Sequence, residues 1–250
     1  MQRFYVKNID PSDRSIILNG EIVRQLRSVL RFESGKHIRL FDGSGHEWEV
    51  EIDHIGKTEI AATLISAVKP SVSPSINVTM LLGLAKPERI EHAIQKCTEL
   101  GASQFIPVIS ERVQGSKTGA PSENRLVRWQ RIAIEAAEQC GRVSVPTVQP
   151  SMLLMDAVCK VIDSQPLFCM WEEISEQTQS LKNALRNIPK AQSEIAMLIG
   201  PPGGFTPNEV AWMVKVGANL VTLGERVLRS ETAAIAVLSA TLYESGDLGD

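Results

Sequence analysis

From about residue 76 onward, short apolar runs of strand length alternate with longer stretches whose apolar residues recur every three or four positions. The runs fall at 76–84, 105–109, 167–171, 195–199 and 220–223. The helical stretches fall at 87–100, 124–140, 180–187 and 231–243, with a further helix starting at Thr206. Alternation of this kind predicts a largely parallel sheet covered on both faces, an α/β unit. Helix 87–100 shows its limits plainly. Pro87 suits the first helical position, Glu88 the positive end and Gly101 the stop, while Ile90, Ala93, Ile94, Cys97 and Leu100 form one apolar stripe. Thr206-Pro-Asn-Glu209 is a capping box with proline at the first helical position.

The first 68 residues follow another period. Positions 37–42 and 47–53 alternate around Asp42-Gly-Ser-Gly45, a hairpin signal, with strands also expected at 3–6 and 58–68. Between them, 21–31 has helical spacing, with Ile22, Val23, Leu26, Val29 and Leu30 opposed to Arg24, Arg27, Ser28 and Arg31. A small β-rich domain at 1–70 is expected, joined by a Pro/Ser linker at 69–75 to a larger domain at 71–250.

Two glycine-bearing turns near the end each follow a strand and precede a helix. They are Gly200-Pro-Pro-Gly-Gly204 and Leu223-Gly-Glu-Arg-Val-Leu-Arg-Ser230. Neighbouring turns of this kind form a cleft at the carboxyl edge of a parallel sheet, where small ligands bind. Neither is a phosphate-binding P-loop or a dinucleotide fingerprint. The two prolines stiffen the first loop and remove two donors, and Gly203 and Gly204 let a ligand approach main chain. The loop suits an adenine or a methionine-like group; equally, it is a sharp turn before a capped helix. Around the second turn, Glu225, Arg226, Arg229, Glu231 and Thr232 concentrate charge and polarity beside a helix that is apolar nearly all round.

Bulk composition narrows the class without deciding the function. With 43% hydrophobic and 22% charged residues the chain is an ordinary globular one. No apolar run has the length of a membrane span and no signal peptide is expected, so the reading is a cytoplasmic protein. The four cysteines (Cys97, Cys140, Cys159, Cys169) are scattered, as reduced thiols rather than a zinc site would be. The four histidines (His37, His46, His54, His92) show no metal or catalytic spacing, so neither a metal nor a nucleophilic triad is expected. The net charge of −3 argues against wholesale coating of nucleic acid. Yet residues 1–40 set Arg3, Lys7, Arg14, Arg24, Arg27, Arg31, Lys36 and Arg39 against Asp10, Asp13, Glu21 and Glu33. That basic leader can bind phosphate locally, or be a solvated face.

A set of ordered motifs carries the argument further. It runs Arg3-Phe-Tyr-Val6, Val29-Leu-Arg31, Lys86-Pro-x-Arg89, Lys96-x-x-Glu99-Leu-Gly101, Glu111-Arg112, Arg128-Trp129, Glu135-Ala-x-Glu-Gln139, Gly141-Arg142 and Pro146. It ends with Ile199-Gly-Pro-x-Gly-Gly204 and Leu223-Gly-x-Arg-x-Leu-Arg-x-Glu-Thr-Ala233. The set resembles the RsmE family, bacterial methyltransferases of the SPOUT superfamily, over nearly the whole chain. The resemblance implies a PUA-like N-terminal domain and a SPOUT-type α/β domain with a C-terminal trefoil knot, a topology no periodicity argument predicts. It implies transfer of a methyl group from S-adenosylmethionine to N3 of one uridine in 16S rRNA of the small ribosomal subunit, by a homodimer with the site near its interface. The apolar helix 231–243 suits burial in the knot or the dimer. One departure is that the family usually has a glutamate where this chain has Pro202, so residue 202 is not counted as catalytic.

The site residues follow from that resemblance. Arg229 is expected beside the uracil carbonyl oxygens, where a cation stabilises developing negative charge, with Glu231 as base or orienter. The same run can instead cap the last helix, with Ser230 as N-cap. The cofactor is expected against the main chain of three strand-ends, 170–172, 198–204 and 223–228, with Met170, Leu198, Ile199, Gly200, Pro201, Gly203, Gly204, Leu223, Gly224, Val227, Leu228, Thr232 and Ala233 as its contacts, although Met170 and Trp171 suit a core equally well. For RNA, Arg3, Arg24, Arg27 and Arg31 are candidates on the small domain and Lys86, Arg89, Arg112 and Arg142 on the large one. All would contact phosphates. The target base must leave its stack, because N3 lies on the pairing edge. The alternatives are a ribose 2′-O-methyltransferase of the same superfamily, a non-catalytic RNA-binding assembly factor, for which Pro202 speaks, and a nicotinamide-dependent oxidoreductase, disfavoured by the missing fingerprint.

Overall fold

The computed structural model describes residues 1–10, 12–68, 74–113, 120–173, 175, 177–189 and 191–249. Most of the expected linker, 69–73, lies outside them. The chain divides into two compact units. One comprises Met1–Ser73 with Ala137–Val145, the other Pro74–Ala136 with Pro146–Asp250.

In the first unit, β1 (Arg3–Tyr5), β2 (Ser15–Asn19), β3 (His37–Phe41), β4 (Glu47–Ile55) and β5 (Glu59–Val68) form one sheet in the order β1-β3-β4-β5-β2. β1 runs parallel to β3 and the other pairs are antiparallel. Strand alternation buries Ile38 and Leu40 of β3 with Val50 and Ile52 of β4, and Leu26 joins them. The β3–β4 turn is the expected one: Ser44 N donates to Asp42 Oδ1 at 2.9 Å, and Gly43 and Gly45 take left-handed torsions. Residues 137–145 complete this unit. Glu138 Oε1 accepts from Tyr5 N at 2.8 Å, and Arg142 O accepts from Arg3 Nη2 at 3.2 Å.

Two features of this unit differ from the sequence reading. β2 is not legible in the sequence, because Ile17 is an exposed apolar residue between the inward-facing Ile16 and Leu18, so Ser-Ile-Ile-Leu-Asn shows no alternation although its burial does. The helix expected over 21–31 is one α turn, α1 (Glu21–Arg24), followed by a wider π turn at Gln25–Val29. Leu30 N donates to Gln25 O and Phe32 N to Leu26 O, while Arg31 adopts a φ of 52° that ends the helix without a glycine.

The second unit contains β6 (Asn77–Gly83), α2 (Pro87–Leu100), β7 (Gln104–Ile109), α3 (Glu123–Cys140, whose last turn belongs to the first unit), β8 (Thr147–Val148), β9 (Met152–Leu153) and α4 (Leu154–Ile162). There follow β10 (Leu167–Met170), β11 (Gln179–Ser180), α5 (Leu181–Arg186), β12 (Glu194–Ile199), α6 (Pro207–Lys215), β13 (Asn219–Thr222) and α7 (Ser230–Ser245). The strands form one sheet in the order β11-β13-β10-β12-β6-β7-β8, with β9 also on β7, and every described pair is parallel. β6 and β12 are buried after their first residues, as strands covered on both faces must be. Because β13, β10 and β12 are neighbours, the turns that follow them open side by side at one edge.

α2 buries Ile90, Ala93, Ile94 and Cys97, stops at Gly101 and packs on α7. α7 buries Ala234, Val237, Leu238, Thr241 and Leu242, but leaves Tyr243 70% exposed. Ser75 N and Ile76 N both donate to the Asp247 carboxylate just beyond α7, at 2.7 and 3.2 Å, which anchors the entry to β6. No helix among the described residues is long and apolar enough to cross a membrane. The four thiols are free, and burial pushes those of Cys97 and Cys169 up to about 12.

Candidate functional site

The turn after β12 is built by backbone constraint. Gly204 N donates to Pro201 O at 2.8 Å with Gly204 at φ 68°, and Phe205 then turns inward, 1% exposed, against Gly200. At Thr206 the capping box expected from sequence is complete: Glu209 N donates to Thr206 Oγ1 at 3.3 Å and Thr206 N to Glu209 Oε2 at 2.7 Å. The other oxygen of Glu209 reaches a different loop, accepting from Glu111 N at 2.8 Å. Arg112, next in that loop, donates from Nη1 to Gly203 O at 3.2 Å. On the opposite side β6 comes very close. A Cβ built on Gly83 would stand 2.4 Å from Pro201 N.

The other two turns are simpler. After β10, Trp171 N donates to Val221 O at 3.0 Å and carries the strand pairing one residue further. After β13, Thr222 Oγ1 accepts from Gly224 N and donates to Gly224 O, both at 3.1 Å, which closes a tight loop at φ 114°. α7 starts with Arg229, not Ser230, as its N-cap; Arg229 has extended torsions and no side-chain cap. Ser230 is the first helical residue, and its hydroxyl donates to Glu231 Oε2 at 3.2 Å.

These three turns enclose a cavity of about 270 Å³ at the carboxyl edge of the sheet, near the lower end for small-molecule sites, roughly 300 Å³. Met170, Ile199, Gly200, Pro201, Gly204, Leu223, Gly224, Val227, Leu228 and Ala233, expected there from the sequence, line it, and so does Arg229. Leu198, Gly203 and Thr232 do not. Leu198 is fully buried inside β12, Gly203 backs onto Arg112, and Thr232 faces outward on the first turn of α7. The lining also includes Arg89, Trp171, Glu172, Pro202 and Arg226. Trp171, Glu172, Pro202 and Arg226 fall within the three strand-ends expected against the cofactor, whereas Arg89 was expected against RNA.

Charge is unevenly placed. The charged lining side chains are Arg89, Arg226 and Arg229 against Glu172. Glu231, the base or orienter that the family resemblance implies, is not on this lining. It is 15% exposed, borders a small adjoining recess and lies 3.8 Å from Arg89 Nε. Among the described residues no group of three or more His, Cys, Asp or Glu could hold a metal ion. The cavity suits an adenosyl compound: it is half apolar in character, glycines at 200, 204 and 224 expose main chain to it, and open space lies where a Gly224 side chain would project.

The basic residues separate in their surroundings. Arg24, Arg27 and Arg31 are exposed on the first unit, as are Lys86 at the N-cap of α2 and Arg112 on the second. Arg3 departs from the sequence reading. Its side chain is 12% exposed, paired with buried Glu47 and stacked over Phe41 at 5.1 Å, so it holds the first unit together rather than facing solvent. Arg142 belongs to the first unit, not the second. It is half-buried, bonds Ser144 Oγ at 3.2 Å, and burial holds its pKa below the usual guanidinium range.

Comparison with known proteins follows these units. Residues 72–242 match the family described as RNA methyltransferase domain, and residues 18–65 the RNA methyltransferase PUA domain. The chain is 31% identical to ribosomal RNA small subunit methyltransferase E of Synechocystis, over 92% of this chain and 74% of that protein. It is 30% identical to the protein of the same name from Bacillus subtilis, over 98% and 97%. The crystal structure of a ribosomal RNA small subunit methyltransferase E from Neisseria gonorrhoeae bound to S-adenosylmethionine superposes with a TM-score of 0.86 at 31% identity, covering 97% of each chain.

Proposed function

The chain belongs to the RNA methyltransferase family of the ribosomal RNA small subunit methyltransferases E, and on that premise we propose that it methylates N3 of one uridine in the 16S rRNA of the small ribosomal subunit, as a cytoplasmic homodimer. It is an S-adenosylmethionine-dependent rRNA methyltransferase with a SPOUT-type parallel sheet and a PUA-like N-terminal unit. The observation that carries the N3 reading on this chain's own residues is the grouping of three arginines and a carboxylate around a main-chain-lined cavity at the sheet edge. A trefoil knot involving the last strands and α7 belongs to the same reading. The interleaved strand order and the closeness of Gly83 to Pro201 support it. The half-covered face of α7, with Ile235, Ala236, Ser239 and Ala240 partly exposed, supports a partner copy there.

When bound, S-adenosylmethionine supplies an electrophilic methyl group on a sulfonium. Gly200, Pro201, Gly204, Leu223, Gly224 and Leu228 would hold it by main chain and apolar contact. Met170, Val227 and Ala233 close the walls. Arg229, exposed at the rim, faces the entering base and stabilises the negative charge that collects on the uracil carbonyls as N3 loses its proton. Glu231 acts indirectly, by holding Arg89 at the cavity wall. Arg24, Arg27, Arg31, Lys86 and Arg112 would contact RNA phosphates, which gives salt-dependent affinity rather than sequence choice. With six Phe, four Trp and two Tyr, recognition rests on RNA shape more than on stacking.

Arg229→Ala is expected to lower turnover at least about tenfold while S-adenosylmethionine binding, followed by calorimetry, is retained. Turnover within twofold of the parent removes Arg229 from the mechanism. The function itself is tested by incubating the protein with S-adenosylmethionine and small subunits from cells lacking the modification, then mapping the product. N3-methyluridine at a single 16S position is expected. Methyl on a ribose 2′-hydroxyl supports the other branch of the superfamily, and saturable cofactor binding without transfer to any RNA supports a non-catalytic assembly factor.

A further inference from the structure

Methylation at N3 requires that the N3 proton go somewhere, since uracil is protonated there at neutral pH and becomes a good nucleophile only as that proton leaves. The arginines on the cavity wall stay protonated and cannot accept it. Glu231 faces the adjoining recess beside Arg89. Among the described residues lining the cavity, Glu172 is the one carboxylate.

The surroundings of Glu172 aim it inward. It lies one residue beyond Trp171, whose N–H is fixed on Val221 O. A Cβ built on Gly204 would stand 3.1 Å from Glu172 Oε1, so the missing side chain at Gly204 is the space this carboxylate uses. Gly204 also needs its φ of 68°, so two separate demands keep glycine there. Neighbouring Pro202 has no titratable group and no N–H to compete for those oxygens. No described residue ties them up in a hydrogen bond or an ion pair, and the residue is exposed enough to pass a proton to solvent.

Resting on the N3 reading above, we infer that Glu172 is the catalytic base. Its carboxylate takes the N3–H proton as N3 forms a bond to the methyl carbon. The carbon–sulfur bond breaks with its electron pair remaining on sulfur, which becomes a neutral thioether. Glu172 then returns the proton to solvent. The charged groups around it are Arg89 from α2, Arg226 and Arg229 from the turn after β13, and Arg112 across Gly203. All are guanidinium groups, which stay protonated, so changes in turnover above neutral pH report ionisation of the uracil.

The test compares Glu172→Gln and Glu172→Asp with the parent. For Glu172→Gln, the affinity for S-adenosylmethionine measured without RNA stays within threefold. Turnover at saturating cofactor and neutral pH falls about 100-fold, the lower end of what a positioned base contributes. The deficit then narrows about tenfold per pH unit as the medium ionises the uracil unaided, and Glu172→Asp recovers part of the loss. Turnover of Glu172→Gln within threefold of the parent overturns the assignment. A deficit that stays constant with pH does so too, because it marks a structural role, and so does weakened cofactor binding with saturating turnover intact. A parent enzyme that methylates an atom other than N3 overturns the functional reading and this one together. A parent active at N3 beside an unimpaired variant overturns the role of Glu172 alone.

Discussion

Gly83→Ala is expected to destabilise the larger unit by more than about 3 kcal/mol, the upper end for overpacked interiors, and to abolish cofactor binding. The added methyl would lie 2.4 Å from Pro201 N, 2.7 Å from Pro201 Cδ and 2.8 Å from the Gly200 carbonyl carbon. None of these can swing aside, since two are main-chain atoms and the third belongs to a ring locked to the main chain. Either β6 must move away from β12, with which it is paired from Asn77 to Leu82 by parallel hydrogen bonding, or the Gly200–Gly204 turn must open. The first breaks the centre of the sheet and the second deforms the cavity wall. A fall in melting temperature of roughly 6–12 °C follows from that energy for a unit of this size, together with loss of the calorimetric signal for S-adenosylmethionine. A variant that melts with the parent and binds the cofactor within threefold would show that the approach of β6 to the turn is not what shapes the site.

Glu209→Ala is expected to have a comparable effect by the opposite route, removing atoms rather than adding them. Glu209 is 6% exposed, and its two oxygens accept from Thr206 N and Glu111 N. A hydrogen bond to a charged group contributes about 1.5–3 kcal/mol, and a buried donor left without a partner costs its own desolvation, so a loss of about 3 kcal/mol or more is expected. The functional effect should exceed what stability alone explains, because one carboxylate joins the start of α6 to the loop that carries Arg112 against Gly203. Cofactor affinity should drop at least about tenfold even at temperatures where the variant is fully folded. Glu209→Gln keeps one acceptor oxygen and should lie between. If Glu209→Ala binds the cofactor normally at low temperature, the capping carboxylate stabilises the fold without organising the cavity.

These two residues also mark the limit of what the sequence discloses. The capping role of Glu209 was visible in Thr206-Pro-Asn-Glu209, because capping is local and has a fixed spacing. Its second bond, to Glu111 ninety-eight residues earlier, is tertiary and leaves no periodic trace. The limits of α2 were legible from Pro87 and Gly101, and the β3–β4 hairpin from Asp42-Gly-Ser-Gly45, for the same local reason. α4 has an apolar stripe at helical spacing, Leu154, Ala157, Val158 and Val161, but no capping signal marks its start, because Leu153 caps it without a side-chain hydrogen bond. In the site, the turns after β12 and β13 announced themselves through glycine. Which charged residues face the cavity depends on how the strand ends are rotated, and that placed Arg89 and Glu172 on the wall and Glu231 beyond it. Arg3 was legible as a cation but not as the partner of Glu47, because the pairing of β1 with β3 and of β3 with β4 brings together residues far apart in the chain.

The discontinuity of the first unit bears on how the protein is made. A chain emerging from the ribosome carries all five strands of the small sheet well before residue 137, yet Tyr5 N and Arg3 Nη2 must wait for Glu138 and the Arg142 carbonyl. N-terminal domains usually finish folding first during synthesis. Here the opening segment stays incomplete while β6, α2, β7 and most of α3 are produced, so its maturation is timed by the translation of the domain that follows it.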